Sequence, residues 1–293
     1  MRGLFAQLAV LTLSLVLSRV APAQDTLVMP VDFDAVLGLK QSKSHATFRY
    51  GKHPSQFGQL WLPTAAPGQL APVVVLLHGG CWLEQYSVEH IHPLAEALAR
   101  LGFAVWALEY RRVGEPGAGW KGTFEDVSAG VDHLRGLGYL PLDLSRVALL
   151  GHSAGGHLAL WAAARAGFSD THPLFTPDPL PLRGVIGLAA ITDLALYAGG
   201  ESSCEKAVSL LMGGSPEKFP ERYFEASPAA LPSPVPVRLL QGSEDSIVPA
   251  NQAQAMSRAR VRFISGAGHF DLIHPGTAAF PVVVEELQVV LAQ

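Results

Sequence analysis

Charge is scarce in this chain. Only 16% of its 293 residues are Asp, Glu, Lys or Arg, and the 21 basic residues are outnumbered by 25 acidic ones, a formal net charge of -4. Surfaces that hold nucleic acid or anionic lipid carry a clustered basic excess, so no nucleic-acid partner is expected. Cysteine is scarcer still, with Cys81 and Cys204 alone. Two cysteines make no disulfide framework and fit no zinc-ligand spacing, and the sequence leaves their pairing open. No metal or cofactor signature is present. The nearest is His90-Ile91-His92, whose imidazoles stand two apart on a helical pattern and therefore diverge. Internal repeats and long low-complexity tracts are also lacking.

What is abundant is apolar: 49% of the residues are hydrophobic, enough for a well-buried core. The N-terminus stands apart from it. Met1-Arg2-Gly3 supplies a short positive start, Leu4 to Leu17 is mostly apolar, and Ala21-Pro22-Ala23 is an A-x-A cleavage pattern before Gln24. Residues 1–23 are read as a signal peptide and 24–293 as one exported domain, periplasmic or extracellular, with no stable membrane insertion after its removal. No cysteine stands at the cleavage point to take a lipid.

From about Phe48 onward, strand and helix patterns alternate. Strands are expected at 59–62, 72–77, 103–108, 146–150, 183–190, 235–241 and 260–265. Helices are expected at 88–101, 123–137, 156–165, 251–258 and 277–291. Continuous apolar strands between amphipathic helices predict an α/β fold with a mostly parallel sheet covered on both faces. Sites in such sheets form at the carboxyl ends of the strands. One stretch, 193–228, breaks the alternation with Gly199-Gly200, Gly213-Gly214 and several prolines around a short helix at 205–212. It reads as a small lid-like insertion.

The chemistry centres on Leu150-Gly151-His152-Ser153-Ala154-Gly155-Gly156-His157, a G-x-S-x-G between an apolar strand and an alanine-rich helix. The flanking glycines permit a turn tight enough to present the Ser153 hydroxyl, and the amides that follow can face a developing negative charge. A serine needs a base, and the base an orienting acid. His269, in Gly268-His269-Phe270 after the last strand, and Asp245, after the strand before it, fall on the same rim as Ser153. Glu244 and Asp193 are the rival acids. His157, one turn beyond Ser153, is assigned to packing, and His152 is expected to point elsewhere. A second apolar strand ends in His78-Gly79-Gly80-Cys81-Trp82, whose glycines let backbone amides approach a substrate carbonyl oxygen. The Trp82 ring is expected beside the acyl carbon, narrowing the pocket.

Together with Glu109-Tyr110-Arg111-Arg112 and Gly242, these motifs resemble the α/β-hydrolases of the esterase and lipase type, near hormone-sensitive-lipase-like carboxylesterases and kynurenine formamidases. The resemblance covers roughly Gln59 onward. It implies Ser153 as nucleophile, Asp245 as acid and His269 as base, with the amides of Gly80, Cys81 and Ala154 as the oxyanion hole. Hormone-sensitive-lipase-like members carry a third glycine where this chain has Cys81. The expected activity is hydrolysis of short-acyl carboxylic esters through an acyl-enzyme. A formamidase or other amidase using the same triad is the alternative, and a catalytically silent binding protein on this fold the third reading.

Overall fold

The computed structural model describes residues 30–40, 42–64 and 68–292, so the leader expected at 1–23 lies outside the described residues. In chain order the elements are α1 (Phe33–Leu37), β1 (Ala46–Arg49), β2 (Phe57–Trp61), β3 (Ala71–Leu77), α2 (His92–Arg100), β4 (Ala104–Leu108), α3 (Gly122–Asp132), β5 (Leu142–His152) and α4 (Ala154–Ala164). There follow β6 (Gly184–Leu188), α5 (Leu194–Ala198), α6 (Ser203–Met212), α7 (Pro220–Ala226), β7 (Val237–Gly242), α8 (Ala250–Ala255), β8 (Arg260–Ile264) and α9 (Phe280–Leu291). The eight strands form one sheet in the order β1-β2-β4-β3-β5-β6-β7-β8. β1 and β2 join antiparallel at one edge, and β4, β3, β5, β6, β7 and β8 run parallel.

The central strands are apolar on both faces because both faces are covered. Along β3, Val73, Val75 and Leu77 join one core with Trp106 of β4 and Leu158 of α4. Val74 and Leu76, pointing the other way, join a second core with Leu94 of α2 and Leu287 of α9. This is the period-two alternation of a strand serving two layers at once. All eleven residues of α4 are buried, as expected of a helix apolar around its whole circumference. Such a helix can sit only at the centre of the molecule, which fixes what stands at its N-terminus.

Expected and observed elements differ in several places: α1 was not expected, and β5 runs Leu142–His152 where a strand at 146–150 was expected. The edge strand β1 had no expected counterpart. Its four residues show only a half-exposed alternation, too short to stand out. The expected helices at 88–101 and 123–137 are each part 3₁₀: Val88–Ile91 precedes α2, and His133–Leu137 follows α3. The stretch 193–228 carries three helices, α5, α6 and α7, where one was expected. α6 has a complete capping box between Ser202 and Glu205, which the pattern Ser-x-x-Glu encodes directly.

Candidate active site

β5 delivers Ser153. Its backbone lies at φ +56°, ψ -121°, a left-handed turn between the strand and α4, where a residue bearing a Cβ is strained. The turn is held by the Ser153 amide donating to Leu188 O on β6 at 2.8 Å and by His157 N donating to Ser153 O at 3.0 Å. The Ser153 side chain makes no capping bond to its own helix. Gly155 shows why the motif needs a glycine: a Cβ there would lie 2.2 Å from His78 O. The helix therefore starts in direct contact with the loop that follows β3.

His269 comes from the loop after β8, and its Nδ1 donates to Asp245 Oδ2 at 2.8 Å. The other Asp245 oxygen accepts from the amides of Ile247 and Val248, both at 2.9 Å. Gln241 Nε2 donates to Oδ2 at 3.2 Å. With its side chain fully shielded from solvent, the carboxylate has no freedom to turn. Its bond at Nδ1 leaves Nε2 of His269 as the nitrogen with a free lone pair. Glu244, by contrast, is exposed and accepts from Ser243. Asp193 caps α5 through Leu196 N. Neither contacts His269, so both rival acids fall away.

Ser153 and His269 line one cavity of about 150 Å³, with Gly80 and Cys81 in the same wall. Asp245 stands behind His269, so Ser153, Asp245, His269, Gly80 and Cys81 converge on one rim. Ala154 is the first residue of α4, fully buried beside Ser153.

Trp82 is a correction. Its ring does not line the cavity; it is fully buried in the core with Phe124, and its Nε1 donates to His157 Nδ1 at 3.2 Å. The backbone of Trp82 is left-handed, φ +59°, which directs the side chain down beneath the loop rather than into the site. His157 completes the arrangement by donating from Nε2 to Ala226 O at 2.9 Å. Burial pushes its pKa down to about 4, so it packs as a neutral ring. His152 is a second correction. It lines the cavity, and its Nε2 donates to His269 O at 3.0 Å. Burial, reinforced by the nearby His269, drives its pKa far below the ordinary value.

Other walls come from residues that no motif marked. Phe33 of α1 meets Tyr86, His90 and Phe270 at ring separations of 5.9, 5.6 and 5.3 Å, and all four line the cavity. His92 packs on Trp61 instead, at 4.9 Å, so the two histidines of His90-Ile91-His92 do diverge. The segment before α1 is fastened by Asp271, whose Oδ2 accepts from Val31 N at 3.1 Å and Gly268 N at 2.8 Å. Cys204 of α6 also lines the cavity and is disulfide-bonded to Cys81, settling the pairing that the sequence left open.

Beneath the β3 loop lies a buried polar network. His78 Nε2 donates to Glu109 Oε1 at 2.7 Å, and Tyr110 OH donates to His78 O at 2.7 Å. Glu109 also accepts from the amides of Val88 and Tyr110 and faces Arg112 at 3.3 Å. Burial pushes the Glu109 pKa up, but His78 and Arg112 outweigh it and the net shift is down. The run Glu109-Tyr110-Arg111-Arg112 was a sequence signal for this support.

A model of the BD-FAE family matches residues 59–259. Esterase LipC of Mycobacterium tuberculosis (strain ATCC 25618 / H37Rv) is 27% identical over 251 residues, covering 76% of this chain and 59% of LipC. Esterase LipQ of the same organism is 26% identical over 204 residues, covering 67% and 47%. The chain thus spans about half the length of the curated relatives it matches. Among solved structures, Esterase B from Lactobacillus Rhamnosis superposes with a TM-score of 0.73 at 20% identity, over 89% of this chain and 90% of that one. A truncated carbohydrate esterase from gut microbiota gives 0.70 at 21% identity, over 86% and 98%. These likenesses identify the architecture as the α/β-hydrolase fold.

Proposed function

The chain belongs to the BD-FAE family, and on that premise we propose that it is a serine hydrolase cleaving short-acyl carboxylic esters through an acyl-enzyme intermediate. One observation carries the reading: a left-handed Ser153 and an Asp245-oriented His269 open onto the same small cavity. Relatives named as esterases support it.

His269 Nε2 removes the Ser153 proton as Oγ attacks the ester carbonyl carbon. The carbonyl oxygen takes the negative charge, and the amides of Gly80, Cys81 and Ala154 receive it. Such donors matter because they are already aimed when charge appears; losing one typically costs about 3 kcal/mol of barrier. The tetrahedral species collapses as the imidazolium protonates the departing alkoxide. Water then repeats the cycle on the acyl-enzyme, returning the proton to Ser153 and releasing the acid. Asp245 stays ionised, fixes the tautomer and stabilises the imidazolium.

Size supports the short-acyl part. Pockets for drug-sized ligands run to about 300–1,000 Å³, whereas this one is about 150 Å³. With Trp82 in the core, the Cys81–Cys204 bridge, Phe270 and Phe33 are among the cavity walls. On nitrophenyl esters of increasing length, turnover should peak at about four carbons or fewer. An optimum at roughly ten carbons would refute the short-acyl reading. Formyl-kynurenine turned over in preference to every ester would move the assignment to a formamidase.

Ser153→Ala should lower kcat/KM by about four orders of magnitude with the protein still folded, and a fluorophosphonate should label the wild type at Ser153 alone. Labelling elsewhere would overturn the assignment. Export is part of the same proposal, supported by the leader pattern in residues 1–23 and by a disulfide of the kind that oxidising compartments preserve. Mass spectrometry of protein from its host should find the mature chain starting at or near Gln24.

A further inference from the structure

Three consecutive residues after β3 are left-handed: Gly80 at φ +98°, Cys81 at +54° and Trp82 at +59°. Glycine adopts this region freely, and residues with a Cβ do not. Trp82 is held there from two sides. Its carbonyl accepts from Val113 N at 2.7 Å, and its buried ring is tied to His157. The tether of Cys81 is covalent. Its partner, Cys204, lies 123 residues away in the first turn of α6, with the two Cα atoms 5.0 Å apart. α6 is a firm anchor: it buries Ala207, Val208, Leu211 and Met212. Its C-terminal carbonyls accept from Trp120 N at 2.7 Å and Arg222 Nη1 at 3.0 Å.

We propose that the Cys81–Cys204 disulfide is a positioning device for the oxyanion hole. The bond holds residue 81 in the left-handed conformation in which its amide receives the carbonyl oxygen above Ser153. A side-chain crosslink thereby does what a glycine at position 81 would do through backbone freedom. This inference rests on the ester-hydrolase reading. It makes catalysis dependent on the oxidised bond. A dithiol opens it by exchange, passing two electrons and two protons to the cysteine sulfurs while closing into its own cyclic disulfide.

The experiment compares wild type, Cys204→Ser, and the double variant Cys81→Gly/Cys204→Ser, each with and without dithiothreitol. Cys204→Ser and the reduced wild type should lose kcat by about ten- to hundredfold with KM changed by less than about threefold. The double variant should recover most of the kcat that Cys204→Ser loses, and should ignore the reductant, because glycine regains the left-handed conformation without a tether. If the bridge mattered only for anchoring α6 or for stability, the double variant would stay as slow as the single one. That result overturns the proposal, as does full kcat in Cys204→Ser. Thermal unfolding of all three proteins confirms that folded enzymes are compared. Rates of fluorophosphonate labelling at Ser153 rank the three independently of any ester. Labelling without ester turnover in the oxidised wild type would sink the ester reading alone, and the ranking would still decide the role of the bridge.

Discussion

The two flanks of the cavity are built in opposite ways. On the acid–base flank, Asp245 is fixed by the amides of Ile247 and Val248, two and three residues on, and by Gln241, four residues back. The His269 loop is likewise closed on itself through Gly268 N and Asp271. On the oxyanion flank almost nothing is local. His78 depends on Glu109, Trp82 on Val113 and His157, and Cys81 on Cys204. One flank is a pair of turns braced mainly by bonds within each turn, with His152 and Val31 added from afar. The other is a loop clamped by three separate parts of the chain, around Glu109 to Val113, at His157 and at Cys204, and its geometry exists only when the domain is assembled.

The largest effect should come from the local flank. Asp245→Asn removes the charge that orients and stabilises the His269 imidazolium, so kcat should fall by about three to four orders of magnitude while KM moves far less. Steady-state kinetics on a nitrophenyl ester measures this directly. A drop smaller than that of the next variant would invert the comparison.

Glu109→Gln tests the distant flank. The amide keeps the shape but loses the charge facing His78 and Arg112, and it presents a donor where three donors already converge. Turnover should fall by about tenfold through a displaced oxyanion loop. Fluorophosphonate labelling should remain confined to Ser153. Unchanged kcat would show that the network serves stability alone.

Acid should loosen the oxyanion flank before it denatures the sheet. Burial pushes His90 down to about 3 and His157 down to about 4, and both hold loops of the site. Their unfolded forms titrate near 6.5. Below that pH the unfolded chain binds more protons than the native one, so stability falls with pH, beginning near 6.5 and continuing to the folded values. For His157 alone the loss amounts to about 3 kcal/mol. Glu109, shifted down, adds its share only below its unfolded value near 4.5. Urea unfolding midpoints at pH 7.5, 6 and 5 should therefore decline, and a flat profile would mean that these rings charge without penalty. The smallest effect belongs to Glu244→Gln. An exposed carboxylate with no contact to His269 should leave kcat/KM within about twofold.

The sequence could be read where structure is local or periodic. The convergence of Ser153, Asp245 and His269 was legible because each stands in a short motif after a strand, and parallel strands put all such loops on one edge. The edge strand β1 was not legible. Four half-exposed residues carry no pattern until β2 pairs with them. Trp82 was misplaced for a physical reason. Its position three residues past the loop glycine Gly79 suggested the acyl pocket, but a left-handed backbone sends the ring down to His157, and a φ angle is not written in the residue name. His152 was misjudged in the same way, since its contact is the backbone of His269, 117 residues distant.

The sequence by itself determined the layered sheet, the serine turn and the pair that orients around it, because apolar periodicity and glycine placement act over a few residues. Tertiary structure alone decided the cavity. Phe33 reaches it from α1, held by Asp271, and Cys204 reaches it from α6 to bridge Cys81. Those contacts join segments separated by more than a hundred residues, and only packing of the two cores on either side of the sheet brings such segments within reach.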